Sequence, residues 1–200
     1  GPTQEPLDPV RYISNHSSRK MGYALCKRAF EMGAKVTLVT GPTTLKHPYG
    51  IKVIEVKSAL EMFEAVKDNY QKQDFIIKAA AVGDYRVKEI ASEKIKKADD
   101  ILKLELDILA YLGSHKTCQI LCGFAMETNN LVEFAKQKFV NKNCDLLVAN
   151  NLKEPGAGFK NDTNKVTFIS KDEIEEIELM TKSELSDLIL RKLIKIKEAK

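Results

Sequence analysis

The sequence predicts an α/β fold, a mostly parallel sheet with helices on both faces and an antiparallel hairpin near the C-terminus. Three observations predict it. Short apolar, β-branched runs such as Lys35-Val-Thr-Leu-Val-Thr40 and Asp145-Leu-Leu-Val-Ala149 recur along the chain. Amphipathic patterns of helical period separate them. Turn residues follow each run: Gly41-Pro42, Gly83-Asp84 and Asn150-Asn151.

Gly1 to Pro9 reads as turn, with prolines at 2, 6 and 9. Met21, Ala24, Leu25, Arg28 and Ala29 then mark a helix stopped at Gly33, with Asn15, Ser17 or Ser18 able to cap it by accepting a bond from a free amide. Strands are predicted at 35–40, 51–56 and 75–82. Ser58 caps a helix that buries Leu60, Met62, Phe63 and Val66, and Glu61 completes a capping box. Between Asp84 and Leu106 the pattern breaks, because Lys88 to Asp100 is lysine-rich and Ile101-Leu-Lys-Leu-Glu-Leu106 alternates like an antiparallel strand. That stretch predicts a basic flap standing off the sheet. Afterwards come a helix around 108–113, a strand at 119–125, a helix from Asn129 or Asn130 to about Val140, and a strand at 145–149. A Gly/Pro loop at 154–159 leads to a hairpin of 166–169 with 174–180 and a closing helix at 182–197. The whole of 1–200 reads as one domain, with the flap at about 84–106.

Two hundred residues with 44% hydrophobic content suffice for a full core. The net charge of +4 favours anionic ligands and is weak evidence for nucleic acid. No apolar run approaches the roughly 20 residues of a membrane span, so no membrane partner is expected. Cys26, Cys118, Cys122 and Cys144 form no CxxC pair and sit among apolar neighbours. They are expected as buried thiols in a reducing compartment, which points to the cytoplasm.

Chemistry collects where the strands end. Asp8-Pro-Val-Arg-Tyr-Ile-Ser-Asn-His-Ser-Ser-Arg-Lys-Met-Gly22 gathers Arg11, Ser14, Asn15, His16, Ser17 and Ser18 before a helix start. Bare N–H groups and the positive dipole end suit a phosphate there. Ligands of open α/β sheets bind beyond the carboxyl ends of the strands. That brings in Gly41, Asp84 to Arg86, Glu127-Thr128-Asn129-Asn130 and Asn150-Asn151. The small residues 79–82, Ala80 among them, allow close approach to the backbone ahead of Asp84. Asp84 is placed to accept from a ribose or base, or to coordinate Mg2+. Lys94, Lys96 and Lys97 suit a polyphosphate, and His16 is either a base or a neutral hydrogen-bonding side chain. No triad, HExxH, GxxxxGK[ST] or strand-borne GxGxxG pattern is present.

Five motifs occur in order: the Asp8–Ser18 run, Ala79-Ala-Ala-Val-x-Asp-Tyr-Arg86, Glu93-Lys-Ile-Lys-Lys97, Gly123-Phe-Ala-x-Glu-Thr-Asn-Asn130 and Gly158-Phe-x-x-Asp-x-Asn164. Together they closely resemble the phosphopantothenate–cysteine ligase domain of bacterial bifunctional coenzyme A biosynthesis proteins, from Gly1 to about Leu193. The resemblance implies a Rossmann-like fold, a cytoplasmic homodimer and a two-step reaction. CTP with Mg2+ activates 4'-phosphopantothenate as an acyl-cytidylate, and cysteine then displaces CMP. By motif position the resemblance has Asn15 steady the acyl-cytidylate with Arg11 in the same substrate cluster, Asp84 and Phe124 hold the cytidine, and Lys94 bind the triphosphate and stabilise charge as pyrophosphate leaves. The expected nucleotide-binding set is therefore Ser17, Ser18, Gly41, Ala80, Asp84, Lys94, Lys97 and Phe124, with Arg11, Asn15 and His16 on the acid substrate. A flavin-dependent phosphopantothenoylcysteine decarboxylase is the expected fused or partner domain.

Three departures from the family pattern stand out. The apolar strand that leads into the family's first turn is not in the sequence, and an omitted upstream segment is the expectation. Arg19 stands where the family has glycine, in the phosphate-facing turn. Leu104-Glu-Leu106 runs into Asp107 without the family's Lys-Asn-Pro-like segment. Two rival readings are a nicotinamide-dependent reductase, weakened by the missing GxGxxG, and a non-enzymatic nucleotide- or RNA-binding module. The second is weakened by aromatics totalling 7% with none clustered for base stacking.

Overall fold

The computed structural model describes residues 2–87, 90–94, 101–103, 107–127, 131–151 and 161–200. In chain order the elements are β1 (Glu5–Pro6), β2 (Tyr12–Ile13), α1 (Lys20–Glu31), β3 (Thr37–Thr40), β4 (Lys52–Glu55), α2 (Ala59–Asn69), a 3-10 turn (Tyr70–Lys72) and β5 (Phe75–Lys78). There follow β6 (Tyr85–Val87), β7 (Ile101–Lys103), α3 (Ile108–His115), β8 (Ile120–Glu127), α4 (Leu131–Asn141), β9 (Leu146–Asn151), β10 (Thr163–Ile169), β11 (Ile174–Thr181) and α5 (Lys182–Glu198).

The result is a mixed α/β fold around a five-stranded sheet of order β11-β10-β9-β8-β5. Pairings β5–β8 and β8–β9 are parallel, whereas β9–β10 and β10–β11 are antiparallel. The last of these is the expected hairpin. The expected single, mostly parallel sheet is divided, because β3 and β4 pair in parallel as a separate unit. Among the described residues no strand joins β3 to β5. β5 is half-buried along its length.

Strand alternation sorts the core. Leu121, Ala125, Leu147 and Ala149 face α2, α3 and α4 through Met62, Ile108, Leu109, Leu112 and Ala135. Ile120, Cys122, Leu146, Val148 and Phe168 face α1 and α5 through Leu25, Leu185, Ile189 and Leu193. The spacing of those three α5 residues is four and four, one helical stripe. Arg28 of α1 ties the two helices by donating to Asp187 at 2.8 Å.

Several local expectations are corrected. The N-cap of α1 is Arg19, which makes no side-chain cap bond, so neither Asn15 nor Ser17 nor Ser18 caps the helix. Ser58 does cap α2, accepting from the Glu61 N–H, but the Glu61 carboxylate accepts from the Lys57 N–H and no box closes. The reciprocal box occurs instead at Thr181 and Glu184 of α5. Leu60 lies on the exposed side of α2. Cys122 and Cys144 are buried thiols, and burial pushes Cys144 up to about 11. Cys118 is exposed, in the bend ahead of β8, and Cys26 is half-buried in α1.

Asp145, just ahead of β9, is a junction whose side chain is only 9% exposed. Its carboxylate accepts from the Leu121 N–H at 2.8 Å and from Lys116 Nζ at 2.5 Å on one oxygen, and from Lys200 Nζ at 2.6 Å on the other. Burial alone raises its pKa, but the Leu121 amide and the two ammonium groups outweigh that and hold it below the ordinary carboxylate range. Breaking one half of a buried pair costs about 3 kcal/mol. Asp145→Asn should therefore lower stability by that order in urea unfolding at pH 7. Because the folded pKa is depressed, the native advantage exists above the unfolded value near ~3.9. It should shrink as pH falls below that value and through the folded pKa, which unfolding curves at stepped pH will show.

Candidate active site

The site is assembled by a strap, residues 2–15, that crosses the carboxyl ends of the strands. Thr3 is fully buried; its hydroxyl accepts from the Gly83 N–H at 2.9 Å, and its carbonyl accepts from Ser14 Oγ at 2.8 Å. The Gln4 N–H donates to Lys57 O at the end of β4. Glu5, also buried, accepts from the Ala59 N–H with Oε1 at 2.9 Å, satisfying a free amide at the start of α2. Gly41, following β3, has no room for a side chain: a Cβ there would stand 2.1 Å from Pro2 O. The strap is thus wedged between the ends of β3 and β5.

Asp8 shapes the strap's turn. Its Oδ1 accepts from the Val10 and Arg11 amides at 2.8 Å, and its Oδ2 accepts from Arg11 Nε and Nη2 at 2.8 and 2.6 Å. The carboxylate is buried and the Arg11 side chain 46% exposed, and the bidentate bond fixes the guanidinium. Asn15 Nδ2 donates to Ala81 O at 2.8 Å, and its Oδ1 accepts from the Ser17 N–H at 3.0 Å. One amide therefore joins the polar stretch to the small-residue loop between β5 and Asp84. Gly22 of α1 lies 4.0 Å from Ala79 by its would-be Cβ, so the helix start sits directly over that loop.

Around this junction Asn15, His16 and Asp84 are exposed, Ser18, Ala80 and Phe124 are half-buried, and Ser17 is buried. Lys94 is exposed on a segment drawn to the strap by the Ala91 N–H, which donates to Leu7 O at 3.1 Å. The β6–β7 ribbon is antiparallel and β6 lies against β1. Lys96 and Lys97, the segments 104–106, 128–130 and 154–159, and with them Gly158 and Phe159 of the fifth motif, lie outside the described residues.

Two cationic groups flank the strand ends on opposite faces. By α1, Lys20 donates to Asp162 at 2.6 Å, and the buried Lys182 donates to Asn161 O at 2.5 Å. Burial and the nearby Lys20 lower the Lys182 pKa, with Asp162 opposing. The Asn164 amide donates to Asn150 Oδ1 at 3.1 Å, joining β10 to the end of β9. On the other face Lys78, Lys138 and Lys142 gather near Asp107 and Asp84. Asp107 caps α3 through the Ala110 N–H and pairs with Lys142 at 2.9 Å; burial raises its pKa, but these partners hold it below the ordinary range. Thr3, Glu5 and Lys78 were missed in the sequence. The first two lie in a proline-rich stretch that reads as turn. Lys78 interrupts an apolar strand, and that interruption was the available signal.

Arg19 adopts φ 65°, the left-handed region that favours glycine. Its Nε is buried without a partner among the described residues. Arg19→Gly should relieve the strain and raise stability by about 1 kcal/mol, read from the denaturation midpoint.

Comparison with known proteins adds the following. The family model for the DNA/pantothenate metabolism flavoprotein C-terminal domain matches residues 1–196. The coenzyme A biosynthesis bifunctional protein CoaBC of Bacillus subtilis (strain 168) is 46% identical over 199 residues, covering 96% of this chain and 49% of that protein. The protein of the same description from Escherichia coli (strain K12) is 44% identical over 202 residues, covering 97% and 50%. The chain thus spans about half the length of these curated relatives. A crystal structure of the C-terminal domain of a CoaBC protein superposes with a TM-score of 0.87 at 43% identity, covering all of this chain and 95% of that one.

Proposed function

We propose, from the premise that the chain belongs to the DNA/pantothenate metabolism flavoprotein C-terminal domain family, that it joins 4'-phosphopantothenate to cysteine at the expense of CTP. The observation that carries this reading is the Asn15–Ala81 bond, which puts the polar stretch, the helix start and the loop to Asp84 around one space. The match to about half the length of relatives described as coenzyme A biosynthesis bifunctional proteins fits a role in coenzyme A biosynthesis. The finer reading is a single Rossmann-like domain with a basic flap, working as a cytoplasmic homodimer beside a fused or separate flavin-dependent decarboxylase.

The chemistry follows from the groups present. The carboxylate of the acid attacks the α-phosphorus of CTP, and pyrophosphate leaves. Charge spreads over phosphate oxygens in that step, so fixed donors aimed at them lower the barrier. The amides at the start of α1, the Ser17 and Ser18 hydroxyls, and Lys94 with Lys97 supply such donors on this reading. Asn15, fixed by Ala81 and the Ser17 amide, has no freedom to lose when the acyl-cytidylate forms beside it. Arg11, held by Asp8, is assigned with His16 to the acid substrate. Asp84, Ala80, Gly41 and Phe124 are assigned to the nucleoside end. Cysteine's amine then attacks the anhydride carbonyl and CMP departs; holding both reactants in one pocket supplies much of the acceleration. Magnesium arrives with the nucleotide. Among the described residues no three His, Cys, Asp or Glu side chains converge. Asp84 therefore offers a single carboxylate to a cation held mainly by phosphate oxygens, a common arrangement for Mg2+.

The test is pyrophosphate release from CTP, Mg2+ and 4'-phosphopantothenate, with and without cysteine. The native protein should release pyrophosphate and accumulate acyl-cytidylate when cysteine is withheld. Asn15→Ala should lower turnover by about 10²-fold, the usual effect of removing one fixed oxyanion donor. No release from a folded protein would overturn the reading.

A further inference from the structure

Lys78 is the last residue of β5, in register with Gly123 of β8. Strand alternation puts it on the side of Ile76, Ala80 and Val82, which pack against the core shared with α2, α3 and α4. Gly123 beside it has no room for a side chain of its own, since a Cβ there would stand 2.8 Å from Leu109 and 2.9 Å from Leu147. The side chain is only half-exposed, and among the described residues its ammonium has no hydrogen bond and no ion pair. The charged groups near it are Lys138, Asp107 and Asp84. Asp107 is already committed to the Ala110 amide and to Lys142. Lys138 repels. A desolvated ammonium with no acceptor is destabilising unless something else supplies one. Burial, with Lys138 adding to it, lowers the Lys78 pKa accordingly.

The start of α1 lies on the opposite face of the strand ends, over Ala79, in the cluster that also holds Met21 and Leu25. On the ligase reading, a nucleotide whose phosphates meet α1 and whose base crosses the end of β5 reaches the side of α3 and α4. That is where Lys78 stands. We propose that Lys78 is a specificity-determining residue that donates to the base of the bound nucleotide and favours cytosine over adenine. An ammonium can only donate. On the Watson–Crick edge cytosine offers two neighbouring acceptors, O2 and N3, whereas adenine sets one acceptor, N1, beside its donating N6 amino group. This inference rests on the ligase reading above and adds to it the group that reads the base.

The experiment is calorimetric titration of CTP and of ATP into the full-length protein, native and Lys78→Met, with thermal melting of both proteins free of nucleotide. Methionine keeps the length and apolar stem and removes the charge. CTP affinity should fall about tenfold or more, the usual range for a lost charge-assisted bond, and ATP affinity should hold within about twofold. The nucleotide-free variant should melt at the native temperature or above it, because an unpaired desolvated charge has gone. Equal losses for both nucleotides, unchanged CTP affinity, or a lower melting temperature would each overturn the proposal. If the native protein binds CTP and releases pyrophosphate while Lys78→Met keeps the same CTP-to-ATP preference, this inference fails and the ligase reading stands. If the native protein binds no nucleotide, both fail.

Discussion

The hydrogen bond from the Gly83 amide to the Thr3 hydroxyl governs the rest of the site. It connects a segment with almost no regular structure to the loop after β5, and its acceptor, Thr3, is fully buried. Glu5 makes a second buried anchor at the start of α2, and Gly41 admits the Pro2 carbonyl at the end of β3. Buried polar groups in a loop are tolerated only when each finds a partner, and here the partners are amides that the strand and helix ends leave free. The same bonds that satisfy the loop therefore fix Ser14 and Asn15 in place. The geometry of the site is inherited from this satisfaction, one residue after another, from Thr3 to Ser14 and from Asn15 to Ala81.

A second constraint is the separation of charge between the two faces. The cations by α1, Lys20 and Lys182, already have oxygen partners in Asp162 and the Asn161 carbonyl. On the α3 and α4 side, Lys142 is paired with Asp107 and Lys78 is left without an acceptor among the described residues. Arg19 adds an unpartnered buried Nε at the helix start on the first face. Strain and unpaired donors persist where the surrounding packing enforces them, and they concentrate at binding sites. The core that enforces them is the alternation of β8 and β9, whose side chains fill both layers.

Much of the fold was legible because its signals are local. Apolar β-branched runs marked β3, β4, β5, β8 and β9, and helical spacing marked all five helices of the described residues to within a few positions. The Thr181 capping box and the division of the sheet between β3 and β5 were not legible in the same way. The first competes with a similar pattern at Ser58, where Glu61 turned to the Lys57 amide instead. The second depends on pairing between strands far apart in sequence. Of the site, Arg11, Asn15, Ser17, Ser18, Ala80 and Asp84 were legible as polar or small residues at element ends, and the structure brings Asn15 to the loop before Asp84. Asn15 and Ser17 were misread as helix caps, since a cap and a turn use the same side-chain oxygen; the helix begins two residues later, at a strained Arg19. Thr3 and Glu5 left no trace in the sequence. Their roles arise only when the strap meets Gly83 and Ala59.

The measurement that bears most directly on this account is amide hydrogen exchange at Gly83, paired with pyrophosphate release, in the native protein and in Thr3→Val. Valine keeps the shape and removes the acceptor. The account predicts a protected Gly83 amide in the native protein, and loss of that protection together with a fall in turnover in the variant. Lost protection with undiminished pyrophosphate release would contradict it, because the site would then be held by something other than the strap.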